Sequence, residues 1–187
     1  QVNVPVTVKD VTGPTVTVGG ATVTKNEPIT PIPVTVSDNT GGRGLRDNTP
    51  VEVTGLPGGL TYSNGEITGT PTVPKGDYSV TITAYDKDGN PTTVTITIKV
   101  QEQADKYNPT GEGLTVNQGH EITDDEVKAK VKDFGPGTLT VTSKPSTTTA
   151  GNAGNAVVTV GYPDGSSDTV NVPVTVKDVT GPTVTVG

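Results

Sequence analysis

Alternation of apolar and polar side chains runs through most of this chain. It is clearest in Tyr78-Ser79-Val80-Thr81-Ile82-Thr83-Ala84-Tyr85 and in Val94-Thr95-Ile96-Thr97-Ile98, where one face is aliphatic and the other Thr or Ser. Successive side chains of an extended strand point to opposite faces, so this period of two predicts half-buried strands. The DKDGN segment between the two runs predicts a hairpin turn, with Gly89 or Asn90 taking positive φ. Across residues 13–100 the same rhythm recurs in PTVTVGGATVT, ITPIPVTVSD, TPVEVTGLP and GLTYSNGEITGTPT. Six or seven short strands joined by turns predict a β-sandwich there.

The pattern changes after residue 100. QEQADKYNPTGEG is polar and turn-rich, and ITDDEVKAKVKDFG then carries the marks of a helix. Thr123 is placed as N-cap, Glu126 completes a capping box, acids fill the first turn, and Gly135 reads as the C′ stop. Val127, Val131 and Phe134 fall at helical spacing on one face. Strands are expected in TLTVTSKPS, AVVTVGYPDG and SDTVNVPVTVKD, the last two joined by the YPDG turn. The expected class is therefore all-β: two tandem Ig-like β-sandwich domains in an elongated rod, the second with one short helix. Pro5, Pro33 and Pro173, inside strand-like runs, suggest protected sheet edges.

An internal identity organises these segments. VNVPVTVKDVTGPTVTVG occupies residues 2–19 and returns, letter for letter, at residues 170–187, an offset of 168. Eighteen identical residues point to recent duplication and to an array of near-identical units, each touching only its neighbours. The expected organisation is 1–12 as the end of a preceding repeat plus linker, 13–100 as one sandwich, 101–178 as the second domain, and 179–187 as the start of the next repeat. Residues 2–9 would then lack the domain that orders residues 170–177.

Composition sharpens the picture at four points. Val and Thr, 30 and 36 residues, make up over a third of the chain, and both favour pleated surfaces. A net charge of −7 opposes phosphate contacts, so no nucleic-acid partner is expected. With no Cys there is no disulfide and no thiolate metal site. No stretch approaches the roughly 20 apolar residues of a membrane span.

The second domain resembles the Rib/alpha-like (long Rib) repeats of Gram-positive surface adhesins. The resemblance is carried by Ala150-Gly151-Asn152 leading into AVVTVGYPDGSSDTVNVPVTVKD, and most strongly by residues 162–176. The first domain resembles the bacterial Putative-Ig or cadherin-like family through GLPGGLTYSNGEITGTPT, residues 55–72, followed by GDYSVTITAYDKDGN. Both families sit in wall-anchored proteins as stalks. The resemblance thus implies an extracellular, non-enzymatic spacer on a bacterial cell wall, monomeric, whose partners are the neighbouring repeats of the same chain.

Candidate chemistry is confined to one place. The single His, His120, has no triad or metal partner spacing, and Asp124-Asp125 read as first-turn helix charges. Asp10, Asp38, Asn39, Asp47, Asp86, Asp88 and Asn90 are different. In a sandwich the start of the first strand and two of the interstrand loops share one pole, so these residues could converge to give the hard oxygen ligands calcium prefers. No cofactor is required, calcium is the one candidate, and the other reading is that Asp and Asn populate turns through local backbone bonding. Bacterial Ig-like and cadherin-like repeats, which this domain resembles, clamp calcium with a linker Asp and such a turn. Alternative functions are adhesion to a host ligand, for which Tyr62, Tyr107, Arg43 and Arg46 are the candidate contacts, and homophilic accumulation through edge strands.

Overall fold

The computed structural model describes residues 1–179 and 184–186 and divides the chain into two units, Gln1–Gln101 and Glu102–Gly187. Among the described residues, no helix is long and apolar enough to cross a membrane.

In the first unit the strands are β1 (Thr15–Thr17), β2 (Ala21–Thr24), β3 (Ile32–Pro33), β4 (Thr35–Ser37), β5 (Val51–Thr54), β6 (Leu60–Ser63), β7 (Glu66–Gly69), β8 (Gly76–Tyr85) and β9 (Pro91–Gln101). One sheet has the order β2-β9-β8-β5, with β2 parallel to β9 and the other pairs antiparallel. Facing it are the β3-β7-β6 sheet and the β1-β4 pair. The alternation read in β8 and β9 is the burial pattern: Val80, Ile82, Ala84 and Ile98 are fully buried, while Thr95 and Thr97 are exposed. Ile67 from β7 closes the core between the sheets.

The strand count exceeds the expected six or seven because two long runs are split. PTVTVGGATVT pairs with β4 through β1 and then with β9 through β2, crossing between sheets at Gly19-Gly20. A Cβ on Gly20 would stand 2.7 Å from the Thr97 carbonyl oxygen, so only glycine allows this approach. The β3–β4 run is likewise interrupted at Val34, whose N–H donates to Gly65 O at 2.8 Å.

The second unit contains α1 (Gln103–Lys106), β10 (Thr110–Gly111), β11 (Leu114–Asn117), α2 (Asp124–Lys128), β12 (Val131–Lys132), β13 (Thr138–Ser143), β14 (Gly151–Gly161) and β15 (Ser167–Lys177). Its main sheet has the order β11-β15-β14-β13, again with first and last strands parallel. Val170, Val172, Val174 and Val176 all point into a core that includes Val158, Val160 and Val127. Residues 2–9, the identical copy of the end of β15, form no strand, and Val2, Val4, Val6 and Val8 are at least 77% exposed.

Three expectations are corrected here. The helix begins at its expected cap but ends at Lys128, with Ala129 as C-cap, well short of Gly135. Val131 and Lys132 instead pair with Gly111 and Thr110, and Glu112 N–H donates to Lys130 O at 2.8 Å. A helix of this length is marginal by itself, and a strand partner satisfies the backbone equally well while keeping Val131 buried. Besides this helix there is α1, which the sequence reading did not anticipate. Its first amides are capped from far along the chain: Gln103 N–H donates to Asp164 at 2.7 Å and Ala104 N–H to Ser166 Oγ at 3.0 Å. Finally, Pro173 does not protect an edge, because β15 has a neighbour on both sides; Pro33, on β3, does lie at a sheet edge. The expected start of the next repeat at 179–187 falls largely outside the described residues.

Candidate functional site

At one end of the first unit the β8–β9 hairpin closes over Asp86, the residue just after β8. Gly89, with φ of 82°, carries the chain round, and the Gly89 N–H donates to Asp86 O at 3.2 Å. The Asp86 side chain is 1% exposed. Its Oδ1 accepts the amides of Asp88 at 3.0 Å and Asn90 at 2.8 Å, and its Oδ2 accepts Asn90 Nδ2 at 2.8 Å. Burial alone would raise its pKa. Hydrogen bonds from the Asn90 side chain and amide and from the Asp88 amide outweigh that and hold it below the usual carboxylate range. An oxygen with two acceptor sites and one donor retains a free lone pair on Oδ2.

Two other segments bring carboxylates to the same place. Asp38 follows β4, and its Oδ2 accepts Gly44 N–H at 2.8 Å. Asp10 lies in the stretch before β1, which is pinned at several points. Asn90 Nδ2 donates to Asp10 O at 2.8 Å, and Thr12 N–H donates to Asp10 Oδ1 at 3.0 Å. The Asn39 amide nitrogen reaches Asp10 in either orientation, 3.3 Å from Oδ1 in one and 3.2 Å from Oδ2 in the other. The second orientation also donates to Asp38 Oδ1 at 2.7 Å and to Thr12 O at 3.2 Å, and so satisfies the amide better.

Carboxylate oxygens of Asp10, Asp38 and Asp86 all lie within 4.8 Å of one another. Three anions at that spacing repel strongly unless a cation or a proton sits among them. Calcium binds oxygens at about 2.4 Å, so ligands on opposite sides of the ion are about 4.8 Å apart, and the donor set is all hard oxygen. The residues fit calcium on spacing and chemistry.

Not every expected ligand joins the cluster. Asp88 stands outside the trio, its Oδ1 2.8 Å from Arg43 Nη1 and its Oδ2 buried without a hydrogen-bond partner. Asp47 is turned to solvent near Lys87, at 3.9 Å. Asn39 and Asn90 act chiefly as hydrogen-bond donors that orient the carboxylates. Arg43 was missed as a component of the pole, since nothing in the spacing of the 39–47 loop places it beside Asp88.

The side chains considered for adhesion are engaged internally. Arg46 stacks on the Tyr85 ring at 4.0 Å and also reaches Glu52 at 3.6 Å, while Tyr62 packs on the core. Tyr107 stacks on Tyr162 at 5.7 Å between ring centres, and Tyr162 Oη donates to Asp168 at 2.9 Å. Burial and that carboxylate push the Tyr162 pKa up. His120 Nε2 lies 2.7 Å from Glu126, at the start of α2, and among the described residues it joins no cluster of three or more ligating groups.

The comparisons with known proteins follow this division. The Putative Ig domain model matches residues 14–101 and the Rib domain model residues 103–178. The C protein alpha-antigen of Streptococcus agalactiae is 35% identical over 174 residues, an alignment covering 78% of this chain and 16% of that protein. The serine-rich adhesin for platelets of Staphylococcus aureus is 44% identical over 93 residues, 49% of this chain and 6% of its own length. The chain therefore corresponds to a small part of the relatives it matches, which are surface adhesins rather than enzymes. Among solved structures, the sialic acid binding region of a Streptococcus sanguinis adhesin superposes with a TM-score of 0.58 at 23% identity, over 91% of this chain and 49% of that one, a likeness of fold. The sandwich with the acidic pole is a Putative Ig domain, the unit after it is a Rib domain, and the chain is homologous to the cell-surface adhesins of streptococci and staphylococci.

Proposed function

We propose that this chain is a stalk repeat, a structural spacer that projects a distal binding domain of a surface adhesin away from a Gram-positive cell wall, with anchoring supplied elsewhere in the protein. The observation that carries this reading is the identity of residues 2–19 and 170–187, the first eight residues of the second copy being the end of the buried strand β15. A unit whose closing strand is repeated without change is suited to tandem copying, with length set by copy number. The internal engagement of Arg46, Tyr62 and Tyr107 favours a spacer over an adhesive face. Small-angle scattering on proteins of one, two and three repeats tests the proposal. A spacer adds a constant increment of maximum dimension per repeat, whereas repeats that fold back side by side would overturn it.

The three-carboxylate cluster favours a second element of the same reading: calcium bound by Asp10, Asp38 and Asp86 stiffens the amino-terminal pole of the Ig unit. Calorimetric titration of the intact chain with calcium, against magnesium, checks it. Absence of calcium-specific heat would reduce these residues to turn formers.

A further inference from the structure

The five residues before the first strand, Asp10-Val11-Thr12-Gly13-Pro14, are held on the Ig unit by contacts that need no cation. Asn90 Nδ2 donates to the Asp10 carbonyl at 2.8 Å, and Thr92 Oγ1 donates to the Pro14 carbonyl at 2.5 Å. Gly13 lies flat against the start of β9: a Cβ there would stand 2.5 Å from both Pro91 O and Thr92 Oγ1. Pro14 is buried, whereas residues 2–9 just upstream are exposed throughout. The grip on the chain therefore begins sharply at Asp10.

The same five letters, DVTGP, recur at residues 178–182, directly after the last strand of the Rib unit. From this we infer that the Asn90–Thr92 edge of each Ig unit is a docking site for the D-V-T-G-P segment that leaves the preceding Rib unit. Wherever one 168-residue unit follows another, the joint between them is a seated strap rather than a free tether. The chemistry of the strap explains its composition. Its two outer carbonyls are taken by fixed side-chain donors, its glycine permits contact with the Pro91 carbonyl, and its proline limits the φ freedom of the residue that enters β1. Asp10 contributes through its backbone here, so the strap is separable from any cation held by its carboxylate.

This inference rests on the tandem-repeat reading, and the test keeps the two apart. A protein of two consecutive repeats, isotope-labelled in the second, is studied by backbone 15N relaxation in the presence of a calcium chelator. The second D-V-T-G-P should show order parameters near the rigid value of about 0.85, matching the adjoining strand β1. Replacing the second repeat's equivalent of Asn90 by Ala, or making Gly181→Ala, should drop the strap below about 0.6 while the strand amides of the same sandwich stay rigid. A strap that is mobile in the parent, or rigid but indifferent to both substitutions, overturns the docking site. Scattering on the same samples reports spacer length independently: an extended pair with a mobile strap sinks the docking inference alone, and a folded-back pair sinks the spacer reading.

Discussion

Asp86 carries much of the order at the acidic pole, because a single buried carboxylate receives three hydrogen bonds from the turn that follows it. Its pKa is lowered in the folded chain, so the stability it contributes is present above its unfolded value of 3.8 and lost as pH falls through the lower folded value. Urea midpoints measured from neutral to acid pH should therefore fall on the acid side, and Asp86→Asn should flatten that part of the profile. Calcium adds a second prediction at the same scale. At a tenfold excess over its Kd, linkage gives about 1.4 kcal/mol, seen as a rise in melting temperature. Asp38→Ala should abolish this rise, and Asp88→Ala, whose carboxylate faces Arg43, should largely preserve it. Equal loss in both variants would mean that Asp88 swings into the site. The convergence of Asp10, Asp38 and Asp86 was legible because sandwich topology puts those segments at one pole. The exclusion of Asp88 was not, since two acids at alternate turn positions look alike until Arg43 takes one of them.

At the scale of the element, α2 shows how local and tertiary signals divide the work. Its start is local: Thr123 Oγ1 accepts Glu126 N–H at 3.2 Å, and Glu126 Oε1 accepts Thr123 N–H at 3.2 Å. Thr123→Ala should cost about 1 kcal/mol, read from chemical denaturation. Its end is tertiary, because the residues after Ala129 take a strand partner that no local helix signal specifies: β12 pairs with β10, a segment about twenty residues upstream. The two identical octets make the same point more sharply. Amides of residues 2–9 should exchange with solvent within seconds, while those of residues 170–177, in a strand paired with β14 and, from Val174 on, with β11, should be protected to the limit of domain unfolding. Equal protection in a demonstrated monomer would mean that residues 2–9 belong to the first sandwich.

For the whole molecule, the common feature of the two units is a four-stranded sheet whose earliest strand in the chain runs parallel to its last, β2 with β9 and β11 with β15. Such a pairing carries the chain into each four-stranded sheet at one end of its strands and out at the other. On the spacer reading, the maximum dimension from scattering should grow linearly with repeat number. If calcium stiffens the pole, chelation should shorten the average without changing the number of folded domains. A chelation-independent dimension would assign the stiffness to the D-V-T-G-P strap alone.

By itself, the sequence determined the strands of β8, β9 and β15, the hairpin turn at Gly89, the cap at Thr123, the two-part organisation and the repeat. All of these are written in neighbouring residues, as a period of two, a turn residue or a capping pair. Tertiary structure decided which copy of VNVPVTVK becomes a strand, where α2 stops, that α1 forms on caps supplied by Asp164 and Ser166, and that Pro173 sits inside a sheet. The reason is common to all four. A strand or a short helix is stable only when its backbone groups and apolar face meet partners, and those partners lie far away in sequence. Val172 is buried because it pairs with Ala156 of β14 and packs into the core of its unit, and Val4, in the same eight-residue context, is exposed because no strand among the described residues pairs with it.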